Sequence, residues 1–286
     1  MTHPVKGIDH CFALVNDLDK AAKQYEALGF TLSPRGEHSA AKGTANYTIM
    51  FPEDYFELLG ILQPTELNAS RREILETQGE GLHAIACRIG DAAEAAKELE
   101  ALGLATMGLG SFSRPVPLPD GSEGIAAFST VSFTPADTPL GVVFMCQHKT
   151  RETVWLPELL EHANTACGLG AILALSDTPP ETGAEFAKLW AAGTVTPIEG
   201  GCEVTTGPDS APLILLTSEA MAAAYPGADL SATAQGAFTV LRVKVSDMDA
   251  AALCLSKAGI TPLQTAAGLA AAPEYASGVI VEFVPA

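Results

Sequence analysis

Ile8-Asp9-His10-Cys11-Phe12-Ala13-Leu14-Val15, followed by Asn16-Asp17-Leu18-Asp19, is the stretch that decides the fold. A short apolar run enters a turn whose aspartates can accept bonds from the free N–H groups of a helix start. Leu18, Ala21, Ala22, Tyr25 and Leu28 then recur at three- and four-residue spacing, so one helix face is apolar. Gly29 closes the helix. The same order returns three times: residues 82–89, Gly90-Asp91 and a helix to Gly103; residues 169–175, Ser176-Asp177 and a helix to Gly193; Phe238–Val245, Ser246-Asp247-Met248-Asp249 and a helix to Gly259. Strand-like runs follow the helices, among them 47–51, 55–62, 126–133, 141–146, 211–216 and 278–284. The pattern predicts an α+β chain of four β-α-β-β-β modules of about 71 residues each. They pair into residues 1–150 and 151–286, with 149–166 as the joining segment. The Ala-rich tract 266–272 reads as a surface turn, and 111–120, with Arg114 and three prolines, as a stiff loop whose arginine is read as solvated, with contact to an anionic substrate as the alternative.

Composition narrows the function. Of 286 residues 48% are hydrophobic and 17% charged, which suits a packed core. The net charge of −18 repels phosphate backbones and anionic membranes, so neither nucleic acid nor membrane is an expected partner. No apolar run approaches membrane-spanning length, and the first residues lack a secretory pattern, which points to the cytoplasm. The six cysteines form no CxxC pair and read as small buried hydrophobes. Dinucleotide, P-loop and GxSxG signatures are missing.

Histidine and carboxylate in strands carry the chemical signal. His10 lies in the first strand, and Glu57 interrupts the apolar run Tyr55-Phe56-Glu57-Leu58-Leu59, where a carboxylate is costly unless paired or metal-bound. His83 is the parallel histidine of the second module, but it precedes Asp91 by one residue more than His10 precedes Asp17. Only a bulge would bring it to the same face. Gln147 and His148 end the second module's last strand and face opposite ways, and His148 is the better ligand type. His38, Thr44 and Asn46 are short polar groups leading into a strand, suited to substrate contact or to satisfying turn backbone.

Four such units, with Gly7-Ile8-Asp9-His10 and the Glu57 strand, resemble the vicinal oxygen chelate superfamily. The stretch ending Gly43-Thr44-Ala45-Asn46, followed by Tyr55-Phe56-Glu57-Leu58, is similar to its glyoxalase-like branch. The resemblance implies cupped mixed sheets and a divalent metal (Zn, Ni, Fe or Mn) held by His10, Glu57, His83 and His148. It implies Glu57 as the proton-moving residue, and His38, Thr44 and Asn46 as contacts to a small substrate with vicinal oxygens. It fits an isomerase or lyase, with a metal-free binding or resistance-type protein or an extradiol-type dioxygenase as alternatives, and it allows for a homodimer. The last two modules have no strand histidine, and Glu282 alone cannot hold a metal, so residues 151–286 read as a degenerate second domain.

Overall fold

A computed structural model describes residues 2–118 and 120–286, which leaves Met1 and, in the stretch 111–120, Pro119 outside the described residues. The first half runs β1 (Ile8–Val15), α1 (Leu18–Ala27), β2 (Gly36–Glu37), β3 (Thr44–Met50), β4 (Tyr55–Ile61), α2 (Ala69–Gln78), β5 (Gly81–Arg88), α3 (Ala92–Ala101), β6 (Thr106–Pro117), β7 (Glu123–Phe133) and β8 (Val142–His148). The second runs β9 (Ala166–Leu175), α4 (Pro179–Ala187), β10 (Thr194–Ile198), β11 (Gly201–Thr205), β12 (Leu213–Leu216), α5 (Ser218–Ala224), β13 (Phe238–Val245), α6 (Met248–Lys257), β14 (Leu263–Gln264), β15 (Leu269–Ala271) and β16 (Ile280–Pro285). The strand-helix-three-strand order thus occurs four times.

Local chemistry explains the helix starts. Asp17, Asp91 and Asp247 each accept from backbone N–H groups of the first turn that follows. The third module differs: its helix opens on Pro179 behind Thr178, whose side chain makes no cap bond, and Asp177 is not the cap. Two other readings change. Residues up to Pro117 belong to β6, because they pair with β7 along its length, so the expected loop is largely strand. The tract expected as a surface turn contains β15, whose Ala270 and Ala271 are fully buried against β16.

In the first half the strand order is β2-β3-β4-β1-β5-β8-β7-β6, and in the second β10-β11-β12-β9-β13-β16-β15-β14. The two are joined where Phe238 of β13 pairs with Leu82 of β5, giving one open sixteen-stranded mixed sheet. Each half curls, with helices on the outer face. Leu18 and Tyr25 of α1, Leu99 of α3, Phe186 of α4 and Leu255 of α6 share one core with Cys11, Phe56, Ile85, Leu241 and Phe283. The outer faces of the two halves therefore pack on each other: Phe30 lies 5.8 Å from Phe283, and the Tyr25 hydroxyl donates to the Ala276 carbonyl.

The two concave faces differ. In the second half Met221 and Tyr225 fill the cup against Leu173, Ile214, Val240 and Ile280. Burying a side chain such as Met221 contributes about 1.5–3 kcal/mol. In the first half α2 covers only one end of the cup, through Ile74 and Leu75, and leaves a cavity of about 480 Å³.

Asp54, in the turn between β3 and β4, reaches across the halves and accepts from the Leu169 N–H at 3.0 Å. Burial raises its carboxyl from 3.8 to about 6. A raised folded-state value means that the native state binds the proton more tightly, so stability falls as pH climbs from about 4 to 6. Asp54→Asn keeps an acceptor without the charge. It should raise stability at pH 8 by roughly 1–3 kcal/mol, with the gain fading below pH 4. Denaturant titration at both pH values checks this, and a loss at pH 8 contradicts it.

Candidate active site

β1 does not alternate simply. Ile8 pairs with Cys87 and His10 with Ala86, so Asp9 is an extra residue in the ladder. Such a bulge re-aims a side chain, and Asp9 and His10 both end up buried beside each other. Asp9 Oδ1 accepts from His10 Nδ1 at 2.7 Å and from His148 Nε2 at 2.9 Å. Burial opposes ionisation of Asp9, yet the bonds from the two imidazoles outweigh it and hold the carboxyl well below the usual carboxylate range. With Nδ1 donating, His10 turns Nε2 toward the Glu57 carboxylate, 4.0 Å away. Glu57 Oε1 accepts from Asn46 Nδ2 at 2.9 Å. The His10 ring stacks on Tyr55 with centroids 4.1 Å apart. His148 is boxed in by Phe128, Tyr55 and Trp155.

Trp155 comes from the joining segment and donates to the Phe51 carbonyl, while His162, further along, is bonded to the Met50 carbonyl. Gln147 faces the helical side, where its Oε1 accepts from the Ala92 N–H. His38 bonds the Thr44 hydroxyl at 2.9 Å. Burial, together with Lys42, Arg114 and Arg71, pushes its imidazole down to about 3, so it is neutral at physiological pH. His38, Thr44, Asn46, Glu57, His10 and His83 all line the one cavity.

His83 is also bulged, since Phe12 pairs with Ala84 and Ala13 with Leu82. It reaches the cavity, but beside Phe12 rather than His10, and its Nε2 is bonded to the Gly79 carbonyl at 2.8 Å. Aligning Gly7 with Gly81 and Asp17 with Asp91 explains this: His83 corresponds to Asp9, and Ala84 to His10. His10 pairs with Tyr55 two residues before Glu57, and Ala84 pairs with Val142 two residues before Phe144. The second module therefore has alanine and phenylalanine where the first has His10 and Glu57.

Asp9, His10 and His148 bring three ligand atoms within 4.8 Å of one another, a group that could hold a metal ion. Their 2.7 and 2.9 Å separations are hydrogen-bond distances. Donors around a tetrahedral ion stand roughly 3.4 Å apart. Among the described residues the second module contributes His148 to this group, while its Ala84 and Phe144, at the positions of His10 and Glu57, supply no donor.

Sequence reasoning passed over Lys42 and Arg71 and gave Arg114 to solvent; all three line the cavity. Arg114 arrives on β6 and Arg71 on α2, and nothing local marks either. Asp9 had a signal, its adjacency to His10, but strict alternation places it on the opposite face.

A cup of this topology, with histidine and glutamate on its first and last strands, defines a glyoxalase-like protein of the vicinal oxygen chelate superfamily. Residues 8–190 match the family model described as "Glyoxalase-like domain", and the chain belongs to that family. No curated protein sequence matches it. Among solved structures it is similar to a hypothetical protein from Staphylococcus aureus, with 14% identity, 98% of this chain and 99% of that one covered, and a TM-score of 0.66. It is also similar to a homoprotocatechuate 2,3-dioxygenase variant from B. fuscum, with 15% identity, 99% and 72% covered, and a TM-score of 0.57. A third is a 4-hydroxymandelate synthase mutant from Streptomyces coelicolor, with 15% identity, 92% and 77% covered, and a TM-score of 0.53. At these identities the likeness concerns the fold. No described helix is long and apolar enough to cross a membrane.

Proposed function

We propose that the first-half cup is the active site of an isomerase or lyase that moves a proton beside two neighbouring oxygens of a small substrate. The observation carrying this is the Asp9–His10–Glu57 arrangement, with His10 and Glu57 lining the cavity. Glu57, fixed by Asn46, takes a proton from the carbon next to a carbonyl, and the C–H electrons pass into an enediolate. His10 Nε2, 4.0 Å away, accepts that proton from Glu57 and returns it to the neighbouring carbon. Asp9 holds the tautomer and stabilises the imidazolium in transit. Lys42, on the same wall, favours the negative charge that develops on the substrate oxygen.

In heavy water, with a panel of small 2-hydroxyketones and 2-oxo acids, the enzyme should wash deuterium into the carbon beside the carbonyl. Glu57→Gln should cut the rate by about 10²-fold or more. Exchange that survives Glu57→Gln and His10→Ala undamaged, or no exchange on any member, overturns the reading. A second reading is favoured by the closeness of Asp9, His10 and His148. These residues would hold a divalent ion in place of the two imidazole protons, and it would polarise a substrate oxygen. Mass spectrometry of protein purified without chelators separates the two. About one ion per chain, lost in His148→Ala but kept in Glu57→Gln, supports the second reading; content well below one supports the first.

A further inference from the structure

The cavity wall is cationic in a protein of net charge −18. Lys42, Arg71 and Arg114 line it. Among the described residues none of their head groups makes a hydrogen bond or an ion pair, although all three feel the Glu57 carboxylate. Lys42 instead lies over the Phe112 ring, 3.1 Å from its centroid. Half-buried cations without partners are costly. Burial lowers both arginines from their ordinary value, and burial with Arg71 nearby holds Lys42 down to about 8.

The approach of Arg114 depends on one glycine. A Cβ at Gly36 would stand 2.6 Å from Arg114 Cζ and would also collide with Asn46 Oδ1, a buried acceptor that has no partner. Three positive side chains face one carboxylate among the lining residues, Glu57, so the wall carries positive charge in excess. Phe12, Leu59, Phe128 and Phe144 supply an apolar part of the same wall.

We propose that Lys42, Arg71 and Arg114 form an anion-binding subsite, and that the cup takes a molecule with a carboxylate-type anionic head and an aromatic or aliphatic body. The assignment rests on the first-half cup being the active site, and it names the substrate class of that site. An anionic head offsets that excess, and planar guanidinium groups suit a carboxylate. The body lies against the phenylalanines, with its reactive carbon toward Glu57 and His10.

The test needs no turnover. Anilinonaphthalene sulfonate, an aromatic anion that fluoresces when desolvated, should bind the folded full-length protein at least about tenfold more tightly than neutral N-phenylnaphthylamine. Benzoate should displace it, and benzylamine should not. Arg71→Met and Arg114→Met should each weaken binding about tenfold, with circular dichroism confirming that each variant is folded. Glu57→Gln should tighten it by removing a negative charge. Equal affinity for the neutral dye, or unchanged affinity in both arginine variants, overturns the proposal. Displacement by phenyl phosphate but not by benzoate overturns the carboxylate assignment. Anion-selective binding that survives while proton exchange is absent would sink the proton-transfer reading alone.

Discussion

Asp9→Asn should lower proton exchange by roughly 10²–10⁴-fold while leaving the cavity in place. The amide oxygen can still accept from both imidazoles, but it has no charge with which to stabilise an imidazolium and its NH₂ can compete for the same place. Asp9→Ala removes the acceptor of both bonds and should also destabilise the fold by about 3 kcal/mol. The pH dependence follows from the direction of the shift. The folded-state value lies below the unfolded one, so the stability that Asp9 adds is complete above about pH 4 and drains away as pH falls further. Wild type and Asp9→Ala should therefore differ at pH 7 and converge toward pH 2 in chemical denaturation. A variant as stable and as active as wild type at pH 7 would remove Asp9 from the site.

Arg242→Leu should be the most destabilising change in the second half. Glu282 is 1% exposed and takes a 2.6 Å bond from Arg242 Nε, with further bonds from the hydroxyls of Tyr225 and Thr265. Removing the arginine strands a buried carboxylate, at a loss of about 2–4 kcal/mol, the lower part of the range reflecting the partial exposure of Arg242. Glu282→Gln should cost less, because the amide oxygen still accepts a hydroxyl. Neither change should alter dye binding or metal content in the first half. Glu282 pairs with Arg242 as Glu57 pairs with Phe12, so the same strand position is a structural ion pair in one half and faces a cavity in the other. If Glu282→Gln abolished binding in the cup, the roles given to the two halves would be wrong.

The architecture was legible because each module begins with signals confined to a few residues: an apolar strand, a helix face and a terminal glycine, with a capping aspartate in all but the third. Asp17, Asp91 and Asp247 act as that reading requires. Helix α2 escaped because only Ile74 and Leu75, side by side in an otherwise polar run, pack on the cup, and two adjacent residues make no periodic stripe. The site was legible in part. His10, Glu57, His38, Thr44 and Asn46 are near one another in sequence, and one short run of strands gathers them. The bulges at Asp9 and His83 were not legible, since the pairing partner that leaves a residue over lies on another strand. Nor was the meeting of Lys42, Arg71 and Arg114, which depends on how α2 and the β6–β7 hairpin fold back over the cup.

The segment that joins the halves also bears on the order in which the molecule is made. Strands up to His148 complete the cup's sheet, yet His148 is packed against Trp155, itself tied to the Phe51 carbonyl, and the end of β3 is clasped by His162 on Met50. Both anchors lie more than a hundred residues downstream of the carbonyls they hold. On a growing chain, where early domains fold first, the sheet can form while His148 still stands open to water. The packing around His148 is completed only once the residues joining the halves have left the ribosome, so this part of the site follows the first half's last strand in the order of synthesis.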